Sequence, residues 1–183
     1  MRRLICTIAY TILLSSCGPI ASRTDRPPVR SLLEIRQNGV VVQKWDISCG
    51  AAALATVLTY GFEDPVSERS VAAGMLEHTA AERVNRRGGF SLLDLKRFAE
   101  KRGYVARGYR GLTTEHLAQW PHTIVPIKTK GYDHFVVVRG IRDGQVDLAD
   151  PAFGNRAMKL SVFRDAWIAG LGFVVTRRAT SAR

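Results

Sequence analysis

The sequence predicts an α+β domain in which N-terminal helices pack on an antiparallel sheet. Apolar residues recur at helical spacing in the first half of the chain, β-branched residues dominate short runs in the second half, and turn-forming pairs separate these runs. Helices followed by neighbouring strands are typical of α+β folds, whereas α/β folds alternate the two. At 183 residues, 46% of them hydrophobic, the chain can build one such core.

Three main helices are predicted, over residues 49–60, 67–78 and 91–102. The first is rich in Ala, Leu and Val and ends at Gly61, so we expect a buried helix that begins at or just before Cys49. The other two have amphipathic spacing. Ser91 is the expected N-cap of the third helix, and Gly103 is the expected stop.

Strands are predicted at residues 40–42, 104–109, 123–128, 134–141, 145–150 and 173–175, with short helices at 114–120 and 163–169. The pair Asn38-Gly39 lies between a short apolar stretch and the first strand, which predicts a hairpin. The pair Asp143-Gly144 predicts a second hairpin, between the fourth and fifth strands.

Residues 1–16 have the features of a secretory signal peptide. Two arginines precede an apolar run over residues 4–14, and this run is shorter than the roughly 20 residues that span a bilayer. The motif Leu14-Ser15-Ser16-Cys17 also resembles a bacterial lipobox, in which Cys17 is lipidated and becomes the mature N-terminus. We therefore expect an exported lipoprotein anchored on the periplasmic side of a membrane. An ordinary signal peptide, with Cys17 there by chance, is the alternative.

Residues 17–32 are predicted to form a flexible tether, because Ser, Thr, Arg and Pro are frequent there and no hydrophobic period is visible. The folded domain is then expected over residues 33–178. The net charge of +11 comes from scattered Lys and Arg without an RNA-binding signature. For a tethered protein this charge favours contact with anionic lipid headgroups, and we expect no nucleic-acid partner.

The chain offers one candidate for each role of a thiol-dependent hydrolase. Cys49 begins a predicted helix, where unpaired N–H groups favour the thiolate, although a lone cysteine in an Ala-rich helix also fits a buried core. His134 opens one strand of a hairpin and Asp150 ends the other, so the turn brings the imidazole and a carboxylate to one edge. Gln43, six residues before Cys49, could donate to an oxyanion. Metal-ligand spacing and a Walker motif are lacking, so no cofactor is expected.

Four segments, in order, resemble motifs of the peptidase C39 family of double-glycine leader peptidases, which have a papain-like fold. They are residues 43–52 (Q-x5-C-G-A-A), 89–95 (G-x-S-x-x-x-L), 134–138 (H-[YF]-V-V) and 148–151 (ending in D-P). The resemblance covers roughly residues 40–175. It implies that Cys49 is the nucleophile, His134 the base, Asp150 the residue that orients the imidazole, and Gln43 the oxyanion-hole donor.

The same resemblance implies a cysteine peptidase that cleaves an exported polypeptide after small, Gly-Gly-like residues. The best-known members are fused to ABC transporters, but this chain is similar to free-standing exported members, the FapD-like components of functional-amyloid export systems. Its expected partners are a polypeptide substrate and a secretion or amyloid-export machinery. Two alternatives stay open. One is a cell-wall amidase of NlpC type, and the other is a catalytically silent papain-like lipoprotein that binds extended peptides.

Overall fold

The computed structural model describes residues 29–178, which form seven α-helices and six β-strands. The helices are α1 (Leu32–Gln37), α2 (Cys49–Thr56), α3 (Glu68–Leu76), α4 (Ala81–Arg87), α5 (Leu92–Lys101), α6 (Thr114–Gln119) and α7 (Leu160–Ala166), and a π-helical segment (Val57–Gly61) continues α2. The strands are β1 (Tyr104–Tyr109), β2 (Thr123–Thr129), β3 (Tyr132–Arg142), β4 (Gln145–Asp150), β5 (Gly154–Lys159) and β6 (Gly172–Arg177). The expected signal peptide, Cys17 and most of the expected tether lie outside the described residues. Within them, no helix is long and apolar enough to cross a membrane.

The six strands form one antiparallel sheet in the order β1-β6-β2-β3-β4-β5. Side chains of a strand alternate between the two faces, and the central strand β3 follows this rule. Val137 packs into the larger core beneath α2, α3 and α5, whereas Val136 and Val138 pack into a second core that also contains Phe163 of α7. This arrangement confirms the predicted α+β class with helices on an antiparallel sheet.

Helix α2 is the centre of the larger core, and all eight of its residues are buried. Its run of alanines lets neighbouring elements approach closely. At Gly50, a Cβ atom would lie 3.2 Å from the Leu95 side chain on one side and 3.2 Å from the Phe135 ring on the other. The helix therefore lies wedged between α5 and β3, and its first residue, Cys49, has a fixed position.

The hairpin predicted around Asn38-Gly39 is wrong. Ser31 and Glu34 form a capping box that starts α1, and the helix ends at Gln37, directly before Asn38. Residues 40–42 form no strand, because they pack against α2: Val40 is buried, and the Val41 N–H donates to Thr56 Oγ1 at 2.9 Å. The predicted strand over residues 40–42 is therefore also wrong, and this apolar run packs on a helix.

Besides α1, two further elements were not predicted. Helix α4 has only one buried residue, Val84, so its sequence carries almost no amphipathic signal. Strand β5 pairs with β4 at the edge of the sheet, and its polar sequence Gly-Asn-Arg-Ala-Met-Lys lacks the β-branched residues typical of strands. The other predicted helices and strands are present within a few residues of their expected bounds.

Candidate active site

Cys49, His134 and Gln43 line a cleft of roughly 1010 Å³ between the helices and the sheet. Cys49 is the first residue of α2 and is 8% exposed, so its thiol reaches the cleft while the residue stays largely buried. The first N–H groups of a helix have no partner within the helix, and their partial positive charge lies beside the sulfur. The sequence position and the fold together give Cys49 the surroundings of a nucleophile.

His134 and Asp150 lie side by side, at the edge of the sheet where the hairpin was predicted to bring them. β3 and β4 pair in antiparallel register, with Val137 opposite Ala149, which brings the start of β3 to the end of β4. His134 Nε2 lies 2.7 Å from Asp150 Oδ1, and the two side chains are 2% and 0% exposed. This contact leaves the other ring nitrogen for the thiol of Cys49, whose interaction with the imidazole contributes to the raised pKa of His134.

The pair carries opposite charges at neutral pH. Burial tends to lower the pKa of His134, but the hydrogen bonds and charges of Asp150 and Cys49 outweigh it and raise the pKa to about 9. Burial likewise tends to raise the pKa of Asp150, yet the pKa lies below its usual value because His134, the Ala152 N–H and Arg156 stabilise the carboxylate. The imidazole is therefore protonated and ready to donate.

Arg156 is a residue of this site that the sequence did not reveal. It lies on β5, and its Nε donates to Asp150 Oδ2 at 2.8 Å, while the Ala152 N–H donates to Oδ1 at 2.9 Å. The guanidinium also lies 5.7 Å from the centre of the Phe153 ring. Together these donors fix the orientation of the Asp150 carboxylate. Because β5 itself was not predicted, no sequence signal could have placed Arg156 here.

Gln43 lines the cleft, although it lies in a loop and not at the end of a strand as expected. Its N–H donates to the Pro151 carbonyl at 2.8 Å, which ties this loop to the end of β4. Its side-chain Nε2 donates to the carbonyls of Trp45 at 2.9 Å and Asp46 at 3.4 Å. The longer of these two bonds is weak, so one hydrogen of the amide is available to a stronger acceptor.

The wall of the cleft opposite the sheet is the turn between α4 and α5. Gly88 ends α4 in the left-handed conformation. Gly89 lies so close to the loop before α2 that a Cβ atom at this position would be 3.3 Å from the Ile47 carbonyl oxygen. Arg87 is held by a 2.8 Å ion pair with Asp94, which is 3% exposed. Apolar cleft residues include Phe90, Leu92, Phe135, Ile168 and Leu171. Among the described residues, no group of three His, Cys, Asp or Glu side chains is placed to hold a metal ion.

Comparison with known proteins identifies a family and several sequence relatives. Residues 37–180 match the model of the peptidase C39 family. The probable functional amyloid protease FapD of Pseudomonas aeruginosa is 43% identical over 140 residues, which are 76% of this chain and 61% of that protein. The corresponding protein of Pseudomonas fluorescens is 40% identical, with the same coverage. The chain thus spans about three fifths of the length of these relatives.

Two solved structures show the same fold. The peptidase domain of Streptococcus ComA, a bi-functional ABC transporter of a quorum-sensing pathway, superposes with a TM-score of 0.63 at 23% identity, covering 76% of this chain and 98% of that domain. A double glycine motif protease from an AMS/PCAT transporter, solved in complex with the leader peptide, gives a TM-score of 0.62 at 27% identity, covering 76% and 91%. These domains confirm the predicted papain-like fold. With the match over residues 37–180, the chain belongs to the peptidase C39 family.

Proposed function

We propose that the chain is a cysteine peptidase that cleaves an exported polypeptide after small residues. The observation that carries this proposal is the buried contact of His134 with Asp150, 2.7 Å long, beside the thiol of Cys49 at the start of a buried helix. A protonated imidazole next to a thiol stabilises the thiolate, which is the attacking species in thiol-dependent acyl transfer. The cleft in which the thiol lies is large enough for a segment of extended peptide.

In the proposed reaction, the Cys49 thiolate attacks a peptide carbonyl carbon and forms a tetrahedral oxyanion. The Cys49 N–H and one hydrogen of the Gln43 amide donate to this oxyanion, the latter in place of its weak 3.4 Å bond to Asp46. His134 gives its proton to the leaving amine as the C–N bond breaks, which leaves a thioester on Cys49. Water then attacks the thioester, His134 takes a proton from that water, and the thiolate leaves. Asp150, oriented by Arg156, holds the imidazole throughout.

The substrate class is supported by the relatives. One neighbouring structure is a double glycine motif protease bound to a leader peptide, and two sequence relatives are probable functional amyloid proteases. We propose that this chain likewise cuts an exported polypeptide, at a Gly-Gly-like pair, and serves a secretion or amyloid-export machinery.

Fluorogenic peptide amides test this specificity. The substrate acetyl-Leu-Gly-Gly-aminomethylcoumarin should be hydrolysed by the domain, and replacing either glycine with leucine should lower kcat/KM by at least about tenfold, since a cleft shaped for small residues excludes the larger side chain. The Cys49→Ala variant is the control and should release no fluorophore. Hydrolysis that survives in Cys49→Ala would contradict thiol catalysis. A wild-type protein that binds the peptide without cutting it would favour the peptide-binding accessory.

We also propose that the mature protein is exported and anchored on the periplasmic side through a lipid on Cys17. The support is the signal-like segment over residues 1–16, the lipobox-like motif and the net charge of +11, which suits an anionic membrane surface. In a Gram-negative host grown with radiolabelled palmitate, the protein should carry label and sediment with membranes. Cys17→Ala should abolish both properties, whereas the matched Cys6→Ala change inside the signal segment should preserve them. Unlabelled protein would indicate an ordinary signal peptide.

A further inference from the structure

A buried carboxylate outside the Cys49, His134 and Asp150 group contacts the loop that leads to the nucleophile. Glu68 is the first residue of α3 and is 4% exposed. Its two carboxylate oxygens accept the Lys44 N–H at 3.0 and 3.1 Å, and Oε1 also accepts the Ser48 hydroxyl at 2.5 Å. Lys44 directly follows Gln43, and Ser48 directly precedes Cys49. Glu68 therefore holds both ends of the segment 44–48.

A short path of polar contacts links Glu68 to the side chain of Gln43. The single proton of the Ser48 hydroxyl is shared between two acceptors, Glu68 Oε1 and the Trp45 carbonyl oxygen, which lies 2.7 Å from the hydroxyl oxygen. The same carbonyl accepts the Gln43 Nε2 donor at 2.9 Å. The position of the Gln43 amide thus depends on the shape of the segment 44–48, and that shape is held from outside by Glu68.

The burial of Glu68 has a desolvation cost that its hydrogen bonds must offset. A buried carboxylate is costly unless its oxygens receive hydrogen bonds or pair with a cation. Within residues 29–178, no Lys, Arg or His lies within salt-bridge distance of Glu68, whereas buried Asp94 pairs with Arg87. The side-chain hydrogen bonds that compensate Glu68 come from the segment 44–48.

We propose that Glu68 is a positioning residue that fixes the segment 44–48, so that the Gln43 amide reaches the oxyanion to which the Cys49 N–H donates. This inference rests on the proposed peptidase function. Two properties of the site then depend on different residues. The reactivity of the thiol depends on His134, and the stabilisation of a tetrahedral oxyanion depends on the shape of the segment 44–48.

Two probes of Cys49 distinguish these properties. Iodoacetamide alkylates the thiol by displacement at a saturated carbon, so no oxyanion forms and the loop should matter little. The peptide aldehyde acetyl-Leu-Gly-glycinal adds to the thiol as a tetrahedral hemithioacetal, whose oxygen needs the donors. In Glu68→Ala we expect the aldehyde affinity and kcat for the fluorogenic amide to fall about tenfold or more, with KM and the alkylation rate within about twofold of wild type.

A double-mutant cycle identifies the route of the effect. If Glu68 acts through Gln43, adding Glu68→Ala to Gln43→Ala should lower the aldehyde affinity by less than about threefold, because coupled residues are not additive. A full tenfold loss in both backgrounds would overturn the inference, as would an alkylation rate that falls in parallel with aldehyde binding. Glu77→Ala, at the residue that directly follows α3, is the control: its carboxylate is exposed and pairs with Lys101, so aldehyde binding should not change.

Glu68→Gln keeps the test decisive if Glu68→Ala does not fold. The amide keeps one acceptor for the Lys44 N–H but turns a donor toward Ser48, so we expect a smaller loss of aldehyde affinity with unchanged alkylation. Unchanged aldehyde affinity and kcat in both variants would refute the inference. Failure of the peptidase proposal has a different signature: the wild-type protein itself would not hydrolyse the amide, while the aldehyde comparison between variants would still report on Glu68.

Discussion

At pH 6, replacing His134 with alanine is expected to slow the alkylation of Cys49 by iodoacetamide about a hundredfold. The pKa of His134 is raised to about 9, so the imidazolium is present at pH 6 and stabilises a thiolate beside it. A cysteine without such a partner has a pKa of about 8.5 and is roughly 0.3% ionised at pH 6. A thiolate in an ion pair is somewhat less nucleophilic than a free one, which reduces the expected ratio from about 300 to about 100.

The pH dependence supplies the check. The raised pKa means that the imidazolium is intact below about pH 9 and is lost above it, so the rates of wild type and His134→Ala should converge as the pH rises past 9. His122→Ala is the control, since His122 is half-buried, away from the cleft, and should leave the rate unchanged at every pH. Equal rates for wild type and His134→Ala at pH 6 would show that Cys49 is an ordinary buried thiol.

Replacing Asp150 with alanine is expected to lower the free energy of unfolding by about 3 kcal/mol at pH 7, because the change removes one partner of a buried charged group. Asp150 is fully buried and accepts hydrogen bonds from His134, Ala152 and Arg156. His134 would lose its acceptor in the interior, and the other two donors would lose theirs at partly buried positions. For a domain of this size the loss corresponds to a fall in Tm of roughly 10 °C. Denaturant unfolding and thermal melts measure it directly.

Asp147→Ala on the same strand is the matched control. Asp147 pairs with Arg142, whose side chain is 76% exposed, and a surface pair of this kind contributes less than about 1 kcal/mol. The pKa of Asp150 is lowered, so its contribution is present above the usual carboxyl pKa of about 4 and is lost as the pH falls through the folded value. The stability gap between wild type and Asp150→Ala should therefore narrow in acid. A gap that stays constant down to pH 2 would contradict this account.

The parts of the site that were predictable from sequence depend on local pairing. A tight turn at Asp143-Gly144 brings the start of β3 to the end of β4, so the predicted hairpin places His134 near Asp150. A β-bulge between Val138 and Gly140, which was not predicted, shifts the register by one residue and so brings both side chains to the same face. The helix at Cys49 was equally visible, because its apolar run is long and ends in glycine. In both cases the signal lies within about 20 residues of sequence.

The parts that were missed depend on contacts across the sheet or between helices. Glu68 and Lys44 are 24 residues apart in the sequence, and neither residue belongs to a periodic pattern from which their contact could be predicted. Arg156 lies on a polar edge strand whose existence is settled by pairing with β4 and not by its own propensity. Around Asn38-Gly39, the turn signal and the apolar run suited a hairpin and a helix cap equally well, and packing against α2 decided between them.

The complete burial of α2 divides the molecule into a part that resists substitution and a part that can vary. Every residue of this helix touches its surroundings on all sides, so almost any change of size there must disturb the core that supports the sulfur. The turn between α4 and α5, apart from Phe90, borders the cleft without belonging to that core, as do Tyr132 at the start of β3 and the loop at Ile168. Substitutions at these bordering residues can therefore change which polypeptide the cleft accepts while Cys49 and His134 keep their positions.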